Sequence, residues 1–146
     1  MSAVPFHYVD LRTFCYATED EKRVETALRT FLPEETNIEC EETEGHNGDR
    51  ILVLSVRLER ADEVRHVLSR LAGIEDFEGL VAELDDRIDD NCAFFLGLDK
   101  QSAYGGRVEL GDGLMLRGKV EAYPAKRERA IETAEKALED LAEAAA

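Results

Sequence analysis

EGHNGDRILVLSVRL (Glu44–Leu58) is the stretch that decides the fold. Its first half is a turn by chemistry: Gly45 and Gly48 can take positive φ, and Asn47-Gly48 is a common hairpin pair. From Ile51 to Leu58 the chain alternates with a period of two. That places Leu52, Leu54, Val56 and Leu58 on one face, and Ile51, Val53 and Ser55 on the other. A hairpin turn feeding an alternating strand predicts an antiparallel sheet.

Working outward, Ile38–Thr43 reads as the strand on the near side of the turn. Phe6–Tyr16 is a loosely alternating strand through Phe6, Tyr8, Val9, Leu11, Phe14 and Tyr16. Thr18 and Glu21 have capping-box spacing and open a helix whose apolar face is Val24, Leu28 and Phe31 or Leu32, closed by Pro33. Beyond Leu58, Asp62 caps a helix carrying Val64, Val67, Leu68 and Leu71 that Gly73 ends. A second helix presents Phe77, Leu80, Val81 and Leu84. Cys92–Leu98 reads as a buried strand, and Val108–Leu110 with Leu114–Tyr123 as a hairpin around Gly111-Asp112-Gly113. A last helix starts at Pro124, with Ala130, Ile131, Ala134, Ala137, Leu138 and Leu141 at helical spacing. The expected order is β-α-β-β-α-α-β-β-β-α, an α+β fold with a mainly antiparallel sheet and helices on one face. No repeat, linker or low-complexity segment divides the chain, so residues 1–146 form one domain.

Composition narrows the function. Hydrophobic residues make up 44% of 146, enough for a core without staples. No basic segment precedes an apolar run of signal-peptide length, and Ile51–Val56 and Cys92–Leu98 are too short to span a bilayer. The expected location is the cytoplasm. Cys15, Cys40 and Cys92 are scattered without a CxxC pair, which points to reduced thiols and no zinc site. Thirty-three acids face 18 bases, for a net charge of −15. The acids are spread along the chain and lysines are scarce, as expected of a protein kept soluble in a salt-rich, halophilic cytosol. In such a protein, net charge is a poor guide to the ligand.

Catalytic patterns are missing. His7, His46 and His66 have no metal-ligand spacing, no serine sits in a nucleophile elbow, and neither GxxxxGK nor GxGxxG occurs. Asp85, Asp86, Asp89 and Asp90 lack EF-hand spacing and read as a solvated helix end. We therefore expect no enzyme, no metal and no cofactor.

One region departs from the acidic background. Residues 99–129 carry five acids and seven bases, including three of the five lysines. Lys126, Arg127 and Arg129 crowd the predicted start of the last helix, where the macrodipole disfavours cations but free N–H groups suit an anion. In LDKQSAYGG (Leu98–Gly106), Lys100 and the nearby Arg107 can meet phosphates, Gln101 can reach bases or sugars, and Tyr104 can stack on an unpaired base. Arg117 and Lys119 belong to the same island. The pattern fits nucleic acid or a protein-contact surface.

EGHNGDRI (Glu44–Ile51), LDKQSAYGG and AYPAKRE (Ala122–Glu128), in that order, resemble a family of small archaeal RNA-binding proteins described as exosome-associated. The domain of that family is similar to the ribosomal protein that binds 5S rRNA. The resemblance extends from FCYATEDE (Phe14–Glu21) to the final helix. It implies an α+β fold, RNA as partner, an accessory role in RNA processing or degradation, and no catalytic residues. Its matching positions are Gly45, His46 and Gly48 in the turn, Asp99, Lys100, Gln101 and Tyr104 in the loop, and Tyr123, Pro124 and Lys126 at the helix start; Asn47 and Arg50 beside the turn complete the candidate RNA contacts. The competing expectation is a module that docks on an RNA-processing complex without touching RNA.

Overall fold

The computed structural model describes residues 4–145, which contain β1 (Phe6–Cys15), α1 (Glu21–Arg29), β2 (Glu39–Glu44), β3 (Arg50–Leu58) and α2 (Ala61–Leu71). These are followed by α3 (Phe77–Ala82), α4 (Leu84–Arg87), β4 (Ala93–Asp99), α5 (Lys100–Tyr104), β5 (Gly113–Val120) and α6 (Arg127–Ala145). The strands make one sheet in the order β2-β3-β1-β5-β4, and every neighbouring pair is antiparallel. The expected α+β architecture is observed. No described helix is long and apolar enough to cross a membrane.

The Glu44–Leu58 stretch forms the expected hairpin, with Gly48 but not Gly45 at positive φ. Gly45 N–H donates to the Asp49 carbonyl at 2.7 Å, Gly48 takes φ +80°, and Thr43 pairs with Ile51. Leu52, Leu54, Val56 and Leu58 are all buried. The same register runs across the sheet: Val9 and Leu11 of β1, Leu114, Leu116 and Val120 of β5, and Phe94, Leu96 and Leu98 of β4 are buried. Against this face lie Val24, Ala27 and Leu28 of α1, Val64, Val67, Leu68 and Leu71 of α2, and Ala130, Ala134 and Leu138 of α6. Each buried Leu or Val contributes about 1.5–3 kcal/mol relative to exposure. The helices thus cover one face of the sheet.

Several local expectations change. Lys100–Tyr104 is a short helix, because the Asp99 carboxylate accepts the Ser102 N–H at 2.9 Å and caps it. Val108–Leu110 forms no strand beside β5. Leu110 makes a single bridge to Leu98, and Gly111 N–H donates to the Gly97 carbonyl at 3.1 Å, so the segment lines the outer edge of β4. Gly97 permits the approach, since a Cβ there would stand 2.6 Å from the Gly111 oxygen. Asp20, not Thr18, caps α1 by accepting the Lys22 N–H at 3.0 Å. Arg60 occupies the N-cap of α2, with Asp62 in its first turn. The run Phe77–Leu84 divides between α3 and α4. The final helix begins at Arg127 rather than Pro124, whose peptide bond to Tyr123 is cis.

Candidate nucleic-acid interface

Strand alternation that sends leucines toward the helices sends a different set of side chains the other way. On β1 these are Tyr8, Asp10, Arg12 and Phe14, on β3 Val53, Ser55 and Arg57, on β5 Met115, Arg117 and Lys119, and on β4 Phe95. The sheet register turns them into rows: Asp10 lies opposite both Arg57 and Arg117, and Arg117 opposite Phe95. In the next row Arg12 lies between Ser55 and Met115. Met115 is 48% exposed, a large apolar side chain held in solvent.

Guanidinium groups stack on the rings of this face. Arg57 lies 4.0 Å from the Tyr8 centroid, Arg12 5.4 Å from Phe14, and Arg117 5.5 Å from Phe95. All three fall within cation–π range. Arg57 also makes a bidentate pair with Asp10, Nε to Oδ1 at 2.7 Å and Nη2 to Oδ2 at 2.8 Å. That hydrogen bonding, with the carboxylate charge, raises the Arg57 pKa further above its ordinary value. Among the described residues Arg12 and Arg117 have no ion-pair partner. A shallow concavity of about 730 Å³ spans the face, where Arg12, Arg57 and Arg117 are matched by Asp10, Glu39 and Glu59. The charge is balanced locally in a strongly acidic chain.

LDKQSAYGG occupies a different place, the end of β4 and the whole of α5. Lys100 Nζ donates to the Phe14 carbonyl and to the Glu19 carboxylate, both at 2.9 Å, and the lysine side chain is only 15% exposed. Burial works to raise the Glu19 carboxyl, but hydrogen bonds from Lys100 and the Tyr16 N–H, with the lysine's charge, outweigh it and lower the pKa. Asp99 is lowered by hydrogen bonds from the Ser102 hydroxyl and N–H, with Arg107 assisting. Gln101 and Tyr104 line a groove of about 310 Å³ between α1 and α5, where Arg23 lies 4.2 Å over the Tyr104 ring. Arg107 is exposed and lines a separate groove with Arg70 and Glu109.

The remaining candidates are dispersed. Lys119 reaches the Asn91 carbonyl from the sheet. Arg127 donates Nε to the Ile88 carbonyl at 2.9 Å and also reaches the Asp85 carbonyl, closing the end of α4. Cations suit that helix end. Arg129 pairs with Glu132 at 3.2 Å, Lys126 is exposed, and Tyr123 is 77% exposed. His46 and Asn47 stand exposed at the β2–β3 turn, and Arg50 pairs with Glu42 at 3.2 Å. Of the thirteen predicted contacts, the structure brings Arg117 and Lys119 together on the open sheet. Tyr8, Arg12, Phe14, Arg57, Phe95 and Met115, which share that face, are not among the thirteen. The signal for them was the second register of strands whose first register had been read for the core.

Such a surface, an antiparallel sheet backed by helices and presenting rings beneath guanidinium groups, defines a class of platform suited to stacking flat, anionic polymers. The comparisons agree with that class. A family model described as RNA binding matches residues 8–120, and the chain belongs to this RNA-binding family. RNA-binding protein PAB1135 of Pyrococcus abyssi is 35% identical over 144 residues, covering 91% of this chain and 94% of the relative. Among solved structures, the DUF54 protein Mth689 of Methanothermobacter thermautotrophicus superposes with a TM-score of 0.79 at 43% identity, covering 91% of this chain and 98% of its own. Protein AF2318 of Archaeglobus fulgidus gives 0.80 at 31% identity, covering 90% and 99%.

Proposed function

We propose that this protein binds RNA on the open face of its sheet, without cleaving it, as an accessory to RNA processing or degradation in a salt-rich cytoplasm. The observation that carries the reading is the set of three arginines stacked on Tyr8, Phe14 and Phe95 on a face that no described helix covers. Arg12 and Arg117 offer planar cations for a phosphate or base, Arg57 is held by Asp10 over Tyr8, and base–aromatic stacking contributes roughly 1–3 kcal/mol per base. Stacking survives concentrated salt better than phosphate contact does, because counterion release weakens as salt rises. Membership of the RNA-binding family supports the same ligand. The test is fluorescence anisotropy with an unstructured oligouridylate at several salt concentrations. The wild type binds, and Phe95→Ala/Arg117→Ala weakens the binding by about 1–3 kcal/mol. Unchanged affinity in that variant removes the sheet as the site.

Association with an exosome is the finer part of the proposal, implied by the motif resemblance. A docking role draws on one further observation, a groove of about 570 Å³ between α3 and α6 with Phe77 and Val81 inside and Glu78, Glu135, Glu139 and Glu143 around it. Its occupant would be a basic, partly apolar segment of a partner protein. Co-purification that survives nuclease treatment and is lost on Val81→Asp supports docking; partners released by nuclease were bridged by RNA.

A further inference from the structure

The Arg–ring arrangement of the sheet recurs once more, on the far side of the sheet's end. Arg23 lies over Tyr104 at 4.2 Å and has no ion-pair partner among the described residues. Tyr104 is 41% exposed and faces the groove between α1 and α5. The groove's acids are already engaged: Asp20 caps α1, and Glu19 pairs with Lys100 at 2.9 Å. What the groove offers a ligand is therefore a ring, a free guanidinium and the exposed amide of Gln101.

Two rings and a lysine lie between this groove and the sheet. Phe14, the last open-face residue of β1, stacks on Tyr16 with centroids 6.3 Å apart and planes at 29°. Tyr16 is half exposed just beyond the end of β1. Lys100 Nζ lies 5.4 Å from the Tyr16 ring and, through Glu19, forms the wall of the groove that holds Tyr104. The path runs from Arg12–Phe14 over Tyr16 to Arg23–Tyr104, from the open face of the sheet round its end to the helix side.

We propose that a single RNA strand bound on the sheet continues round the end of β1 over Tyr16 and stacks a further base on the Arg23 guanidinium that lies over Tyr104. This rests on the sheet being the RNA site, and it names the RNA as unpaired. Bases stack on rings only when free of a duplex, and an A-form duplex is recognised mostly by its shape and its 2′-hydroxyl and phosphate groups. A turn around the end of a sheet also demands a flexible chain. Lys100 is a positioning residue here: it donates to the Phe14 carbonyl and to Glu19, which in turn accepts the Tyr16 N–H at 3.1 Å.

The test compares oligouridylates of about four and about twelve nucleotides, a range set by the usual single-strand site sizes, with an RNA duplex of the longer length. In the wild type the longer strand binds more tightly than the shorter one and than the duplex. Arg23→Ala/Tyr104→Ala weakens the longer strand roughly tenfold, and the loss on the shorter strand is smaller. Tyr104→Phe, which keeps the ring, restores most of it. Circular dichroism confirms that the variants are folded, and Arg23→Glu, a change at an exposed side chain, gives the same loss on the longer strand. Full binding of the longer strand by both Arg23 variants, or a duplex bound as tightly as that strand, overturns the path. The sheet itself is tested separately, since only its failure leaves Phe95→Ala/Arg117→Ala without effect on either strand.

Discussion

The two broad surfaces of this molecule carry opposite chemistry. On the open sheet, three arginines meet three acids around the central concavity and the rings lie beneath guanidinium groups. In the α3–α6 groove on the helix layer, four glutamates surround the floor without a base among the lining residues. The net charge of −15 is thus unevenly distributed. A polyanion meets repulsion on one surface and near neutrality on the other, which favours the sheet as the proposed binding face; on that proposal stacking supplies the affinity.

The sharpest way to break this contrast is to remove a platform. Phe95→Ala/Arg117→Ala is expected to cost about 1–3 kcal/mol of RNA binding, read as a rise in the anisotropy midpoint, whereas Glu135→Gln/Glu139→Gln on the helix layer leaves that midpoint in place or lowers it. Lys100 tests whether the LDKQSAYGG lysine belongs to the fold. Lys100→Met strands the Glu19 carboxylate and the Phe14 carbonyl, so the urea midpoint falls by the equivalent of about 1–3 kcal/mol. Exposed Lys126→Ala moves it by no more than about 0.5 kcal/mol.

Acid sharpens the comparison further. Glu19 and Asp99 both have lowered pKa values in the folded protein, so the unfolded chain binds protons more readily than the folded one. Their contribution is fully present above the ordinary carboxylate range and is lost as pH falls through the lowered folded values. Glu19→Gln is expected to flatten the acid side of a stability–pH curve measured by urea denaturation. The smallest effect belongs to α6. Glu135, Glu139 and Glu143 repeat at i, i+4, a spacing at which like charges repel, and Glu139→Gln raises the denaturation midpoint by about 0.2–0.5 kcal/mol.

Much of this architecture was readable in the sequence. Leu52, Leu54, Val56 and Leu58 announced a one-sided strand, and Asn47-Gly48 announced the turn that made its pairing antiparallel. Local chemistry with few solutions is easy to read. The α5 helix was hidden because five residues are too few for periodicity, and its helical state depends on the Asp99 cap. The segment at Val108–Leu110 was misplaced because its partner was chosen by the glycine at position 97, more than ten residues upstream. The interface was only half legible for a related reason. Arg117 and Lys119 stood out as charges within an island, but Arg12 and Arg57 sit in acidic surroundings and become neighbours only through the register of β1 with β3 and β5. Arg127 shows the opposite case, a cation that looked free in sequence and closes α4 in the structure.

The sheet order has a consequence for how the chain is made. β1 emerges first but lies at the centre, with β3 on one side and β5 on the other. Its pairing with β3 can form once residue 58 is available, whereas Leu11 must wait for Leu116. Between those two points the growing chain therefore presents an unpaired edge on its central strand, the sort of edge that recruits other strands. The acids distributed along the chain repel identical neighbours throughout that interval. Charge is one of the means by which an exposed strand edge is kept from pairing with another chain.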